Sequence, residues 1–169
     1  MRALLITGPV GIGKTTVAEA VGDVLAAAAV PHAVVDLDWL RRCTPSPADD
    51  PFNLALELRN LRAVARNYAE AGARRLVLAG VLERRSDRAV YAEAVGAEIA
   101  VCRLKADLSV IRQRLVARHR DAELELRWHL DRAEELDGIF ASAQVEDYVV
   151  AADQAVAEVA QDVVAGWPA

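Results

Sequence analysis

The alternation of apolar and polar positions divides the chain into strands and helices. Five short apolar runs have the length and composition of buried strands, and they cover residues 3–6, 32–36, 75–80, 98–104 and 147–151. Between these runs, apolar residues recur at helical spacing, as in Val17, Val21 and Leu25. Regular strand–helix alternation predicts an α/β fold, with a five-stranded parallel sheet covered by helices on both faces.

Several helix boundaries are marked by capping residues or by breaks in the pattern. Asp50 followed by Pro51 predicts an N-cap and the first position of a helix that ends near residue 71. Asp107 and Asp153 are predicted to cap two later helices. Residues 118–123 are polar and interrupt the apolar pattern between two helices.

The most specific pattern follows the first strand. Residues 8–15 match G-x-x-x-x-G-K-[ST], the phosphate-binding loop (P-loop). Glycines let main-chain amides point at phosphate oxygens, and the helix that follows adds the positive end of its dipole. A lysine here reaches the β- and γ-phosphates, and the hydroxyl after it is a ligand for Mg²⁺. The sequence therefore predicts nucleotide binding by Gly8, Val10, Gly11, Ile12, Gly13, Lys14, Thr15 and Thr16.

Length, charge and cysteine content narrow the class of protein. The 169 residues fit one domain spanning 1–169, and the net charge of -5 argues against a nucleic-acid binder, which normally carries a basic face. No apolar run reaches membrane-spanning length, and the first strand begins at once, so we expect neither a membrane partner nor a signal peptide. Cys43 and Cys102 lack metal-ligand spacing and suit a reducing cytoplasm. The oligomeric state stays open.

A second candidate site lies where the second strand ends. Asp36 and Asp38 stand two residues apart, so their carboxylates point to one side of an extended segment. Strand ends in a parallel sheet face the same crevice as the P-loop. One carboxylate can organise the water shell of Mg²⁺ and the other can orient or deprotonate a hydroxyl. The alternative is a solvated strand end that only starts the next turn.

A P-loop followed by a second strand ending in aspartate resembles the small P-loop kinases, the group of shikimate, gluconate and adenylylsulfate kinases and chloramphenicol phosphotransferase. The resemblance covers nearly the whole chain in the order of its elements. It implies a three-layer P-loop NTPase fold with a small helical lid at about residues 116–132. It also implies transfer of the γ-phosphoryl group of ATP, with Mg²⁺, to a hydroxyl of a small molecule. By this analogy Asp36 serves Mg²⁺ through water and Asp38 faces the acceptor hydroxyl.

The sequence departs from those kinases at the third strand. Residues 76–80 occupy the position of a Walker B strand but contain no aspartate, which leaves Asp36 or Asp38 for the metal. Gly80-Val81-Leu82 does not reproduce the triple glycine of shikimate kinases, which argues against shikimate as the acceptor.

The resemblance also places arginines of the lid on the phosphates. Arg118, just before the polar break, matches that position best and is predicted to be catalytic. Other arginines of the segment are Arg112, Arg114, Arg120, Arg127 and Arg132, of which the last two are candidate second contacts. Guanidinium binds phosphate with two donors, although charge on exposed helix faces is also ordinary.

The acceptor pocket has weaker candidates. Besides Asp38 they are Arg41, Arg59 and Glu83, followed by Arg42, Asn53 and Asn60. Trp39 and Trp128 could line a pocket or belong to the core, and the core is the favoured interpretation.

The favoured function is therefore a small-molecule kinase with ATP as donor, because the chain has no guanine-reading Asn/Thr-Lys-x-Asp. One alternative is a nucleotide-binding switch or resistance protein that transfers no phosphate to a small molecule. A kinase acting on nucleic-acid ends is the third possibility, and the acidic charge disfavours it.

Overall fold

A computed structural model describes residues 1–119 and 122–167, so Arg120 of the predicted lid lies outside the described residues. The strands are β1 (Arg2–Thr7), β2 (His32–Asp36), β3 (Arg75–Ala79), β4 (Ile99–Lys105) and β5 (Tyr148–Ala151). The helices are α1 (Lys14–Ala27), α2 (Leu37–Leu40), α3 (Leu54–Glu70), α4 (Asp87–Val95), α5 (Leu108–Arg118), α6 (Glu123–Ala143) and α7 (Val156–Gly166).

The five strands form one parallel sheet in the order β2-β3-β1-β4-β5. At the centre, Ile6 of β1 is in register with Ala79 on one side and with Cys102 on the other. The predicted three-layer α/β fold is confirmed. All strand carboxyl ends meet at one edge of the sheet, where ligands of such folds gather.

Alternate residues of β1 pack into two separate hydrophobic cores, one on each face of the sheet. Leu4 and Ile6 pack on one face with residues of α1, α5 and α7. Ala3 and Leu5 pack on the other face with residues of α3, α4 and α6. Because β1 is buried on both sides, its sequence reads as a continuous apolar run rather than an alternating one.

The start of α3 differs from the prediction. The helix begins at Leu54 rather than at Pro51, after Asn53 in a left-handed conformation with φ 54°. Asp50 still caps the helix, because its carboxylate accepts hydrogen bonds from the amides of Leu54 at 2.8 Å and Ala55 at 2.9 Å. The prediction of Asp50 as the N-cap residue was therefore wrong by three positions, although its side chain bonds the first amides of the helix, and Pro51 lies in the turn before it.

The two other predicted caps have different outcomes. Asp107 occupies the N-cap position of α5, although its side chain makes no capping hydrogen bond. Asp153 does not cap α7, whose N-cap residue is Ala155. That prediction was wrong because the chain needs two more residues after β5 before it turns into the helix.

Two asparagines of α3 and its N-cap hold the loop after α2. The buried Asn53 amide nitrogen lies 3.0 Å from the carbonyl of Arg41 and 2.9 Å from that of Cys43. Asn60 donates to the carbonyl of Leu40 at 2.7 Å. Both residues therefore shape the loop, which explains their polarity without an acceptor contact.

We expect Asn53→Ala to lower the free energy of unfolding by about 2 kcal/mol, because it removes buried hydrogen bonds and forces alanine into a left-handed conformation. Urea denaturation measures the change. Asn53→Gly is the matched control, since it loses the same bonds without the backbone strain and should cost about 1 kcal/mol less. Wild-type stability in both variants would contradict this role.

Within the described residues, no helix combines the length and the apolar character needed to cross a bilayer.

Candidate functional site

The P-loop is packed tightly between β4 and α5. Gly8 has φ 147°, and a Cβ there would lie 2.8 Å from the carbonyl oxygen of Leu104. Gly11 has φ 83°, and a Cβ there would lie 2.7 Å from the side chain of Leu115. Both positions therefore require glycine. The loop runs directly into α1, whose first amides face a cleft of about 780 Å³.

Lys14 lies over the loop that it follows. Its ammonium group donates to the carbonyls of Gly8 and Pro9, both at 3.0 Å. Burial lowers the pKa of Lys14 to about 8, against the opposing effect of the carboxylates of Asp38 and Asp36. These carboxylates are therefore close enough to influence the lysine, as the hypothesis of a shared site requires.

Asp36 connects the end of β2 to the start of α1. Its Oδ2 accepts a hydrogen bond from the hydroxyl of Thr15 at 2.6 Å, and its Oδ1 accepts one from the amide of Asp38 at 2.8 Å. Hydroxyl and carboxylate oxygens are ligands that suit Mg²⁺. Across residues 1–119 and 122–167, no group of three or more His, Cys, Asp or Glu side chains makes a metal site by itself. A Mg²⁺ ion here would therefore draw its other ligands from phosphates and water.

A chain of polar contacts leads from Asp38 into the molecule. Asp38 is exposed in the cleft and forms an ion pair with Arg41. The guanidinium of Arg41 also lies 3.4 Å from the carboxylate of Glu57, which is buried. Tyr91 donates its hydroxyl proton to Glu57 at 2.5 Å. Arg41 is thus held between two carboxylates.

Burial dominates the electrostatics at the inner end of this chain. It raises the pKa of Glu57 above its ordinary value, and the hydrogen bond from Tyr91 and the charge of Arg41 oppose the change. Burial also raises the pKa of Tyr91, with the neighbouring carboxylate adding to the effect. Sequence reasoning missed both residues. The available signal was a carboxylate at position 57 on the apolar stripe of a helix.

The arginines after β4 fall into different environments. Arg118 is exposed, lines the cleft beside the P-loop and has no hydrogen-bond or ion-pair partner in the described part of the chain. Arg114 donates to the carbonyl of Ile12 at 3.0 Å and to that of Ala152 at 2.8 Å. Of these two, only Arg118 has its guanidinium available for a ligand.

The remaining arginines are paired or lie elsewhere. Arg132 lines the cleft and forms ion pairs with Glu83 and Glu135. Arg112 pairs with Glu134 at the surface. Arg127 is exposed and does not line the cleft.

Of the predicted acceptor residues, five line the cleft, namely Asp38, Arg41, Arg42, Asn53 and Glu83, whereas Asn60 does not. Arg59 is exposed on α3 and is not brought to the cleft. The interpretation of Trp39 and Trp128 as core residues was wrong, because their exposed fractions are 68% and 53%. Trp128 lines the cleft, as does Phe52.

A sequence profile of the family described as AAA domain matches residues 4–136. The chain belongs to this family. The match begins in β1, includes the P-loop and extends into α6, so it contains every side chain of the cleft described above. The resemblance of this chain to the small P-loop kinases, predicted from its sequence, is therefore confirmed.

Solved structures with the same fold cover almost the whole AAA-domain chain. The tunicamycin resistance protein of Deinococcus radiodurans is 20% identical, with a TM-score of 0.68 and coverage of 97% of this chain and 94% of that one. A gluconokinase from Sinorhizobium meliloti 1021 is 22% identical, with a TM-score of 0.62 and coverage of 97% and 90%. The APS kinase of Mycobacterium tuberculosis, solved with AMPPNP and APS, is 20% identical, with a TM-score of 0.56 and coverage of 97% and 95%. No curated protein sequence matches significantly.

The predicted binding of nucleotide at the P-loop has a testable dependence on pH. Phosphates raise the pKa of Lys14 because they favour the ammonium form, so ATP binding above pH 8 requires proton uptake. At pH 9 we expect about one proton per ATP and an affinity that falls as the pH rises further. Calorimetry in two buffers of different ionisation enthalpy measures the uptake. Lys14→Arg is the control, since arginine stays charged and should take up none; equal uptake by both proteins would refute the assignment.

Proposed function

We propose that the protein is an ATP-dependent phosphotransferase that moves the γ-phosphoryl group to a hydroxyl of a small molecule. The main support is one arrangement: the carboxylate of Asp38 lines the same cleft as Lys14 and Thr15 of the P-loop. A phosphate cradle and a carboxylate facing a common space are what in-line transfer to a hydroxyl requires. Membership of the P-loop AAA-domain family agrees with this reaction.

The proposal assigns residues to the nucleotide donor, to the acceptor hydroxyl and to the phosphoryl group that is transferred. Main-chain amides of residues 8–16 and the ammonium of Lys14 hold the phosphates. Asp38 accepts the proton of the acceptor hydroxyl, whose oxygen bonds to the γ-phosphorus as the bond to the ADP oxygen breaks. Arg118 lies over the transferring group and stabilises its charge with two donors.

Mg²⁺ fits the oxygen ligands at the loop, and when bound it neutralises charge on the β- and γ-phosphates. Thr15 would hold it directly and Asp36 through water, in agreement with the hydrogen bond between these two side chains. The likeness to an APS kinase bound to AMPPNP supports an adenine nucleotide as the donor.

The proposal includes a single kinase domain over residues 1–169 with a lid at about residues 116–132. In support, α5 ends at Arg118 and α6 begins at Glu123, and the cleft-lining side chains of this region come from both helices. It also includes a cytoplasmic location, in keeping with the free thiols of Cys43 and Cys102.

The test is a screen of hydroxyl compounds, metabolites and antibiotics alike, for acceptor-dependent ADP release from ATP and Mg²⁺. Phosphorylated product should appear in equal amount to ADP. Nucleotide binding or hydrolysis without transfer to any member of the panel would favour the alternative, a nucleotide-binding switch or resistance protein.

A further inference from the structure

Two exposed aromatic side chains line the part of the cleft outside the P-loop. Phe52, in the loop before α3, is 50% exposed, and Trp128, on α6, is 53% exposed. The chain has only two Phe, three Trp and three Tyr, so two such rings in one cleft are a large share. Large apolar side chains left in contact with water in a concave surface are typical of ligand contacts.

These two rings line one part of the cleft, called the slot below. Trp128, Arg132 and Leu136 follow one another at intervals of four on the same face of α6, and all three line the cleft. The guanidinium of Arg132 lies 5.5 Å from the centre of the Phe52 ring. The face of α6 that carries Trp128, Arg132 and Leu136 therefore meets the same cleft as Phe52, and Leu136 is buried there.

The cations inside the slot are already neutralised. Arg132 forms ion pairs with Glu83 and Glu135. Arg41 forms ion pairs with Asp38 and Glu57. An acceptor bearing a carboxylate or phosphate would have to displace one of these carboxylates from its arginine and leave that carboxylate without a cationic partner. An uncharged acceptor avoids that cost.

Two other arginines that line the cleft are exposed to solvent. Arg42 is stacked on Trp39, with 4.8 Å between the guanidinium and the ring centre, and Arg84 is exposed. Their charges are screened by solvent and give little selectivity for an anion. Arg118 lies beside the P-loop and is assigned to the phosphates.

We propose that the acceptor is an uncharged alcohol carrying an aromatic or heteroaromatic ring, which inserts between Phe52 and Trp128 with its hydroxyl toward Asp38. This names the substrate class of the same cleft and rests on the proposed phosphotransferase function. Contact between aromatic rings supplies the selectivity, because aromatic pairs contribute more binding free energy than the burial of their surface area alone.

The probes are three alcohols that differ in one property each. They are 3-phenylpropane-1,2-diol, 3-phenyllactate with the same ring and a carboxylate, and butane-1,2-diol without a ring. Binding is measured by saturation-transfer NMR and titration on the full chain with Mg²⁺ and AMPPNP, so it needs no turnover. We expect the phenyl diol to bind about 10-fold more tightly than either other probe, with saturation strongest at its ring protons.

Alanine variants test whether the ring of the phenyl diol binds in the slot rather than at another exposed aromatic side chain. Phe52→Ala and Trp128→Ala should each weaken binding of the phenyl diol about 10-fold and leave AMPPNP binding unchanged. Trp39→Ala is the matched control, since Trp39 is more exposed than Trp128 but does not line the cleft. It should leave binding of the phenyl diol within about 2-fold of wild type.

Transfer from ATP to the same probes and to gluconate is measured separately. Tight, Phe52-dependent binding of the phenyl diol supports the ring slot even if no probe is phosphorylated, in which case the transfer function is what fails. Binding that favours 3-phenyllactate or butane-1,2-diol, or that is unchanged in both alanine variants, overturns the ring slot. Phosphorylation of gluconate with no binding of the phenyl diol would overturn it while upholding the transfer function.

Discussion

Replacing Lys14 with alanine is expected to remove nearly all ATP turnover and to leave the fold intact. The side chain supplies a point charge at the β- and γ-phosphates, and loss of one such electrostatic contact costs about 10²–10³-fold in kcat. Among the described residues, the ammonium group donates hydrogen bonds to the carbonyls of Gly8 and Pro9, and its pKa is lowered, so its removal should change the free energy of unfolding by less than about 1 kcal/mol.

Steady-state ADP release and urea denaturation are the two measurements. Lys105→Ala is the matched control, because Lys105 is the only other lysine in the sequence and is exposed at the end of β4. It should retain wild-type turnover. Full activity of Lys14→Ala would remove the lysine from the mechanism, and loss of its folding transition would assign it a structural role instead.

Asp38→Asn is expected to abolish phosphoryl transfer while nucleotide affinity stays near normal. The amide keeps the shape of the carboxylate but cannot accept the proton of the acceptor hydroxyl, which lowers kcat by about 10²–10⁴-fold. Arg41 keeps Glu57 as a partner in this variant, so the local structure should persist. Binding of ATP by calorimetry and transfer by product analysis are measured together.

The control for Asp38 is Asp49→Asn, an exposed carboxylate in the neighbouring loop that does not line the cleft. It removes the same charge from the same region and should transfer at the wild-type rate. If Asp38→Asn still transfers phosphate, Asp38 is not the base. If ATP binding falls together with transfer, Asp38 contributes to the nucleotide side of the site.

Features set by local sequence were predicted well. Residues 8–15 specify their own turn, because glycine alone tolerates the positive φ and the close approach to Leu104 and Leu115. The proximity of Thr15 and Asp36, which are 21 residues apart, also followed from the sequence. Parallel strands bring their carboxyl ends to one edge, so the relation needed topology but no packing detail.

Features set by packing were missed. In the sequence, Glu57 is one polar residue on a helix. Its hydrogen bond with Tyr91, which is 34 residues away, exists only because α3 packs against α4. Trp128 reads as core because large aromatics usually are, but α6 turns its face toward the cleft. Asn53 does line the cleft as the sequence predicted, but only the path of the preceding loop shows that its amide has two carbonyl partners.

The position of Arg114 divides the cleft into a fixed part and an adjustable part. By holding the carbonyls of Ile12 and Ala152 with one guanidinium, it joins the segments that follow β1 and β5. Those segments cannot separate without breaking at least one of these bonds, so the donor side is held in shape whatever enters beside it. Substitutions at Phe52 or Trp128 can therefore change which alcohol is accepted without altering the donor, and this scaffold is a suitable starting point for kinases of altered selectivity.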